Sequence, residues 1–167
     1  MNRSQAEVLY KTAIDFADIQ KSDTVLDLYC GTGTITLLMS QKCKMAIGVE
    51  IVSEAIKDAK QNAKLNNISN AEFICACSSE IANKFADEKF KPEIICVDPP
   101  RKGLDTQTIN SIIKISPEKL VYISCDPATL ARDLKILTEA GYSIKNAECI
   151  DMFPRTPHIE TAVLLEK

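Results

Sequence analysis

The sequence lacks the features that mark exported, membrane-spanning or disulfide-stabilised proteins. Its seven cysteines form no CxxC pair and are odd in number, and 46% hydrophobic residues in a chain of 167 supply a core without disulfides. The first residues, MNRSQAEVLYK, carry charge from the third position and hold no apolar signal segment. No run approaches the ~20 apolar residues that a membrane span needs. We therefore expect reduced thiols, a cytoplasmic protein and no membrane partner.

The sequence also lacks an excess of positive charge, internal repeats and linker-like stretches. A formal net charge of -3 excludes the overall basic field that holds proteins non-specifically on nucleic acid. Any nucleic-acid contact must then be local or come from another part of a longer protein. The length suits one ordinary domain, so residues 1–167 are predicted to form a single domain. We predict no metal site in it and no obligate protein partner.

Short apolar runs alternate with segments of helical periodicity along most of the chain. Strands are predicted at residues 24–29, 45–50, 71–75, 93–97 and 119–124. Helices are predicted at residues 4–17, 35–40, 53–65, 78–85, 106–115 and 128–140, the first starting in a capping box at Ser4 and the last ending at Gly141. Strands separated by helices pair in parallel, whereas residues 143–150 and 161–165 follow one another as an antiparallel edge hairpin. The pattern predicts an α/β fold, a doubly wound and mostly parallel sheet.

A short glycine loop follows the first predicted strand. Gly31 and Gly33 let the backbone approach a ligand closely, and Glu50 ends the next strand 19 residues after Gly31, where a carboxylate can accept ribose hydroxyls. A dinucleotide fingerprint needs a third glycine where this chain has Thr36, so a nucleoside without a pyrophosphate fits better than NAD. The alternative is a plain strand-to-helix turn with a solvated glutamate; Asp27, at its expected place before the loop, favours a ligand.

This segment resembles the first motif of class I S-adenosylmethionine-dependent methyltransferases. The matching residues are VLDLYCGTGT, residues 25–34, with Glu50 as the acidic ribose-binding position. The resemblance implies a Rossmann-like methyltransferase fold and S-adenosyl-L-methionine as cofactor.

Three further segments place reactive side chains at the same sheet edge. DPPRKG, residues 98–103, follows one apolar strand, and SCDPATLARD, residues 124–133, follows the next. Most cysteines are small buried hydrophobes, which we expect of Cys43, Cys75, Cys96 and Cys149. Cys125 instead lies between a strand and a helix N-terminus, where the helix dipole favours a thiolate. MFPRTPHIE, residues 152–160, carries the one histidine of the chain and Glu160 before the last strand.

Together, these three segments closely resemble the catalytic motifs of the RNA 5-methyluridine methyltransferase family, which acts on bacterial ribosomal and transfer RNA. The resemblance runs from Asn2 to Leu165 and implies an RNA partner carrying an exposed uridine. It implies that Cys125 is the nucleophile and Glu160 the general base. It further implies substrate contacts from Asp98, Arg101 and His158, and cofactor contacts from Tyr29, Gly31, Gly33, Thr34, Glu50, Cys77 and Asp98.

The chain departs from the family pattern at two places. Cys77 stands where many methyltransferases carry an acidic residue towards the adenine. Family members also carry an RNA-binding domain before this one, often an iron–sulfur segment, and a Phe-x-Gln-x-Asn motif of which only the asparagine could be Asn2. We expect a catalytic-domain fragment that binds cofactor but methylates poorly alone, with any iron–sulfur cluster outside it.

Two other functions stay open. The DPP sequence also resembles methyltransferases of exocyclic amines, such as N6 of adenine or N2 of guanine, although these usually have an aromatic residue where this chain has Arg101. The chain could also be a non-catalytic nucleoside-binding module, which would need neither Cys125 nor Glu160.

Overall fold

The computed structural model describes residues 3–152, 156 and 159–167. Helices and strands alternate as the apolar pattern predicts. The helices are α1 Arg3–Ala17, α2 Thr34–Ser40, α3 Ser53–Leu65, α4 Ser78–Asp87, α5 Thr106–Ile115 and α6 Pro127–Glu139. The strands are β1 Thr24–Leu28, β2 Met45–Glu50, β3 Ala71–Cys75, β4 Ile94–Val97, β5 Lys119–Ser124, β6 Ser143–Ile150 and β7 Glu160–Glu166. Within this described part, no helix is both long and apolar enough to cross a membrane.

The strands form a seven-stranded sheet in the order β3-β2-β1-β4-β5-β7-β6. β1 to β5 pair in parallel, and β7 pairs antiparallel with both β5 and β6. The predicted antiparallel hairpin at a sheet edge is therefore confirmed, with β7 inserted between β5 and β6. In the parallel part the chain order reverses between β1 and β4, and ligands of such sheets bind at the strand ends beside that point.

Helices cover both faces of the sheet, because alternate residues of the central strands are apolar on both sides. Leu26, Ile95 and Leu120 belong to one core cluster, and Val25 and Val121 belong to a second cluster. Side chains of α4, α5 and α6 complete the first cluster, and side chains of α1 and α2 complete the second. This two-sided burial is what near-continuous apolar strands predict.

The helix ends differ slightly from the predicted ones. α1 already includes Arg3, so Ser4 lies inside the helix instead of capping it. α4 continues to Asp87, and α6 begins at Pro127, where proline is favoured because the first helical N–H needs no partner within the helix.

Candidate active site

The loop after β1 has the backbone shape that its glycines predict. Tyr29, Gly31 and Gly33 all have positive φ angles, of 74°, 54° and 83°. A Cβ on Gly33 would lie 2.8 Å from the Phe73 ring, so a side chain at this position would force that ring to move. At Gly31 a Cβ would meet no atom of the described residues within 4 Å. The loop therefore leaves open space on the side of Gly31.

Glu50 lies beside this open space. Its Oε2 accepts a hydrogen bond from the Gly31 N–H at 3.1 Å, and its Oε1 accepts from the N–H groups of Ile51 and Val52 at 2.8 and 3.0 Å. These bonds fix a partly exposed carboxylate at the end of β2. Ile51 and Val52 are 66% and 49% exposed, an apolar surface next to a carboxylate that can accept ribose hydroxyls. The site therefore fits the adenosine part of S-adenosylmethionine.

Asp27 lies below the loop and is almost wholly buried. Thr36, which replaces the third glycine of a dinucleotide fingerprint, donates a hydrogen bond from its hydroxyl to Oδ2 at 2.5 Å. Within the described residues Oδ1 has no partner. Burial, with the nearby negative charge of Asp98, raises the pKa of Asp27 to about 7. This carboxyl group is thus partly protonated at neutral pH.

Asp98 follows β4 and lies next to the ends of both neighbouring strands. Val97 pairs with Leu28 of β1 and with Tyr122 of β5, so β1 and β4 end level with each other and β5 runs two residues further, to Ser124. Burial first, and then the charge of Glu160, raise the pKa of Asp98 to about 7. Because β4 lies between β1 and β5 in the sheet, Asp98 lies between the glycine loop that follows β1 and Cys125, which follows β5.

Cys125 follows β5 directly and is partly exposed. The residues on either side of Cys125 are held by hydrogen bonds. The Ser124 hydroxyl accepts from the Asp126 N–H at 3.1 Å. Asp126 in turn caps α6, because its carboxylate accepts from the N–H groups of Ala128 and Thr129. Burial and the charge of Glu160 raise the pKa of the Cys125 thiol, while Arg101 acts in the opposite direction. Burial and the charge of Glu160 thus act against the thiolate that the helix N-terminus is expected to favour, and that expectation stays a prediction.

Glu160 begins β7 and reaches Cys125 through the register of the antiparallel pair. Ser124 pairs with Thr161, so Cys125 and Glu160 both follow that last pair at the same end of the sheet, close enough for the charge of Glu160 to act on Cys125. Burial raises the pKa of Glu160, and Arg101 opposes that rise. Residues distant in sequence thus form one cluster of a thiol, two carboxyl groups and a guanidinium.

The other predicted site residues lie along the same edge. Partly buried Tyr29 starts the glycine loop, and Arg101 is exposed after the two prolines. Thr34 opens α2 and lines a cavity of about 550 Å³ beside α1. Cys77 occupies the N-cap position of α4, and its sulfur lies 3.1 Å from the Ser79 hydroxyl. His158 lies outside the described residues.

The four cysteines that were expected to be buried differ in their exposure. Cys43 and Cys96 are buried, as expected. Cys75 and Cys149 are exposed, so that expectation is wrong for them, because they lie on the two outermost strands β3 and β6. Among the residues described, no group of three or more histidine, cysteine or acidic side chains could hold a metal ion.

Tyr10 of α1 is a neighbour of the site that the sequence did not indicate. Burial raises the pKa of its phenol, and the charges of Asp98, Glu160 and Asp27 raise it further. A helical pattern places its apolar residues on the core side but does not reveal which polar group faces a distant strand end. Helix α1 therefore contributes to the crevice as well as to the core.

Comparison with known proteins identifies relatives of the whole chain. A protein from Enterococcus faecalis called an uncharacterized RNA methyltransferase is 47% identical over 167 residues, all of this chain and 36% of that protein. One of the same description from Clostridium tetani is 48% identical over 165 residues, 99% of this chain and 36% of that protein. The chain thus spans about a third of the length of these relatives.

Solved structures share the fold. The tRNA (uracil-54, C5)-methyltransferase of Pyrococcus abyssi, in complex with S-adenosyl-L-homocysteine, superimposes with a TM-score of 0.80 at 30% identity, covering 97% of this chain and 38% of that one. An rRNA methylase from Streptococcus thermophilus, at 16% identity and a TM-score of 0.74, covers 93% of this chain and 94% of that one, and shares the architecture. The model of the tRNA (uracil-5-)-methyltransferase family matches residues 2–167. With nearly its whole length matched, the chain belongs to the tRNA (uracil-5-)-methyltransferase family.

Proposed function

We propose that this chain methylates C5 of a uridine in RNA, with S-adenosylmethionine as methyl donor and Cys125 as nucleophile. The observation that carries the proposal is the β5–β7 register, which sets Cys125 beside Glu160 at the end of the sheet that also holds Asp98. A nucleoside-binding site alone has no use for a nucleophile next to a base. Family membership, and the open space at Gly31 beside the Glu50 carboxylate, support the same reaction.

The chemistry requires both groups. C5 of uracil is a poor nucleophile, so the Cys125 thiolate first bonds to C6 and pushes electrons into an enolate that is nucleophilic at C5. S-adenosylmethionine, when bound, supplies an electrophilic methyl group on a sulfonium. Glu160 then removes the proton from C5, the electron pair re-forms the C5–C6 double bond, and the C6–S bond breaks to release Cys125.

The raised pKa values set the pH dependence of this reaction. Burial and Glu160 keep the Cys125 thiol protonated at rest, so the thiolate fraction grows with pH. We expect the rate of adduct formation to rise through the range above pH 7. Glu160 must give up its proton to act as base, and burial moves that ionisation to higher pH as well.

The substrate must bring its uridine out of the base stack into the crevice. Extrusion costs a few kcal/mol in a duplex and less in a loop, so structured RNA with an unpaired uridine is the expected partner. Because a chain with a net charge of -3 attracts RNA phosphates weakly, we expect the rest of a longer protein to supply RNA affinity.

The first test is covalent trapping on RNA that carries 5-fluorouridine. Fluorine cannot leave as a proton does, so the reaction should stop at an adduct that survives denaturing electrophoresis. Cys125→Ala should form none, whereas Cys149→Ala, which removes an exposed thiol on β6, should trap as the unchanged chain does. Methyl transfer that persists in Cys125→Ala would instead indicate an exocyclic-amine methyltransferase. RNA binding without adduct or transfer would indicate a non-catalytic module.

The second test separates the base from the nucleophile. Glu160→Gln should form the methylated adduct on ordinary uridine but release it at least about 100-fold more slowly, because nothing removes the C5 proton. Glu166→Gln, at the other end of β7, is the matched control and should release product normally. Normal release by Glu160→Gln would exclude Glu160 as the base.

A further inference from the structure

Helix α6 carries a carboxylate that is wholly buried away from the reacting groups. Asp133 is 0% exposed. Its Oδ2 accepts hydrogen bonds from the Leu104 N–H at 2.8 Å and the Tyr122 hydroxyl at 2.7 Å, and its Oδ1 accepts from Nε of Arg132 at 2.8 Å. A buried charge persists in a fold only when it is paired and hydrogen-bonded in this way. Asp133 therefore joins α6, β5 and the loop after β4.

The same face of α6 also binds the carbonyl groups of that loop. The Thr129 hydroxyl donates to the carbonyl of Arg101 at 3.0 Å. Nη2 of Arg132 donates to the carbonyls of Lys102 and Leu104 at 3.0 and 3.2 Å. Together with Asp133, these side chains hold the backbone of residues 101–104 on α6; we call them the α6 clamp.

Gly103 shows how closely the loop is pressed against the clamp. Its φ angle is +73°, which strains any side-chain-bearing residue. A Cβ would lie 2.6 Å from Oδ2 of Asp133 and 2.7 Å from Nη2 of Arg132. The loop can therefore sit on the clamp only with glycine at this position.

The clamp ties Arg101 to the cysteine loop. Cys125 directly precedes Asp126, the N-cap of α6, and Tyr122 lies in β5 just before Cys125. Three charged groups act on the Cys125 thiol. Glu160 and Asp98 raise its pKa, and Arg101 lowers it and so favours the thiolate. Arg101 is the cation among these groups, and its backbone is held by α6.

We propose that Asp133 is a positioning residue: by fixing residues 101–104 on α6, it keeps Arg101 beside Cys125 and Glu160. Its catalytic meaning rests on the proposed function, but its effect on the thiol does not. Asp133→Asn keeps the side-chain volume and turns one acceptor oxygen into a donor that faces other donors. The loop should then leave the clamp, and Arg101 should move away from Cys125.

The test is the pH profile of Cys125 alkylation by iodoacetamide, measured on the unchanged chain and on Asp133→Asn. Trypsin releases residues 120–132, a peptide with Cys125 as its one cysteine, and residues 146–155, which report exposed Cys149 as an internal standard. Asp133→Asn should move the Cys125 midpoint to higher pH and slow its alkylation at pH 8 by about twofold or more. Cys149 should react as before.

Two controls separate positioning from general loosening. Ser111→Ala removes a buried hydroxyl elsewhere, which donates to Asn83 at 2.5 Å and joins α5 to α4, and this variant should leave the Cys125 profile unchanged. Arg101→Ala should reproduce the shift of Asp133→Asn, and the double variant should shift no further. If Asp133→Asn does not fold, Arg132→Lys replaces it as the test variant. It is a milder change at a half-exposed side chain and should shift the Cys125 profile in the same direction.

An unchanged Cys125 profile in Asp133→Asn and Arg132→Lys, or additive shifts in the double variant, would overturn the proposal. In the methylation assay Asp133→Asn should lower kcat about tenfold with little change in KM for S-adenosylmethionine. If the unchanged chain forms no adduct at all, the proposed function fails, yet the alkylation profiles still decide the role of Asp133.

Discussion

Asp27 couples the stability of the domain to pH. Its pKa of about 7 in the folded chain compares with 3.8 for an unperturbed aspartate, and burial is the main cause. At pH values between these two pKa values, Asp27 keeps its proton in the folded state and has lost it in the unfolded state. The stabilisation is therefore complete below pH 4 and disappears as pH rises through 7. At about 1.4 kcal/mol per unit of pKa difference, it amounts to up to about 4 kcal/mol.

We predict that Asp27→Asn flattens this dependence. Urea titrations at pH 5 and pH 8 measure the free energy of unfolding. This free energy should decrease between the two pH values by less in Asp27→Asn than in the unchanged chain. Asp98, also with a pKa of about 7, leaves part of the slope in place. Exposed Asp58→Asn on α3 is the control and should keep the full slope. Equal slopes for Asp27→Asn and Asp58→Asn would contradict the assignment.

At the scale of elements, the end of α6 depends on one backbone conformation. Gly141 has a φ angle of 98°, its N–H donates to the Thr138 carbonyl, and the Tyr142 N–H donates to the Leu137 carbonyl at 3.2 Å. This Schellman pattern satisfies carbonyls that the helix itself leaves without partners. A Cβ on Gly141 would meet no described atom within 4 Å, so conformation alone sets the cost of a side chain.

We predict that Gly141→Ala lowers the free energy of unfolding by about 1 kcal/mol, because the Cβ of alanine makes the left-handed backbone conformation unfavourable. Gly141→Asn should lose less, since asparagine tolerates that region. Urea unfolding of the three proteins measures both differences. Equal stability of the alanine variant and the unchanged chain would mean that the helix end rearranges.

The sequence predicts elements well where local pattern and fold agree, and less well where distant residues decide. The apolar alternation predicts residues 53–65 and 71–75 with the bounds that the structure has. The capping box at Ser4 fails because capping patterns are local and carry no information on whether the helix continues past them.

The candidate site follows the same division. Glu50 and Gly31 were predicted to meet because strands of a parallel sheet end at one edge, and they are hydrogen-bonded. Asp133 gave no such signal, since its partner Leu104 lies 29 residues away and the contact depends on how α6 packs. Local motifs therefore predict which residues reach the edge, and packing determines how they are held there.

At the scale of the molecule, the chain contains the cofactor end and the cysteine end of one crevice but is about a third of the length of its relatives. We propose that it is the catalytic part of a longer enzyme. Gly31 and Glu50, which we propose bind the cofactor, are hydrogen-bonded to each other within this chain. For RNA, a net charge of -3 provides no overall positive field, so this chain can contribute local contacts only.

We predict that this chain binds S-adenosylmethionine with an affinity close to that of a full-length relative, yet methylates RNA at least about 100-fold more slowly at equal concentration. Cofactor binding depends on groups that the chain holds rigidly, whereas productive RNA binding needs phosphate contacts that a mildly acidic surface provides poorly. Calorimetry with the cofactor, and single-turnover methylation against the Enterococcus faecalis relative, measure the two quantities. If multiple turnovers occur at the relative's rate, residues 1–167 are a complete enzyme; if the cofactor does not bind, the crevice itself needs the rest of the protein.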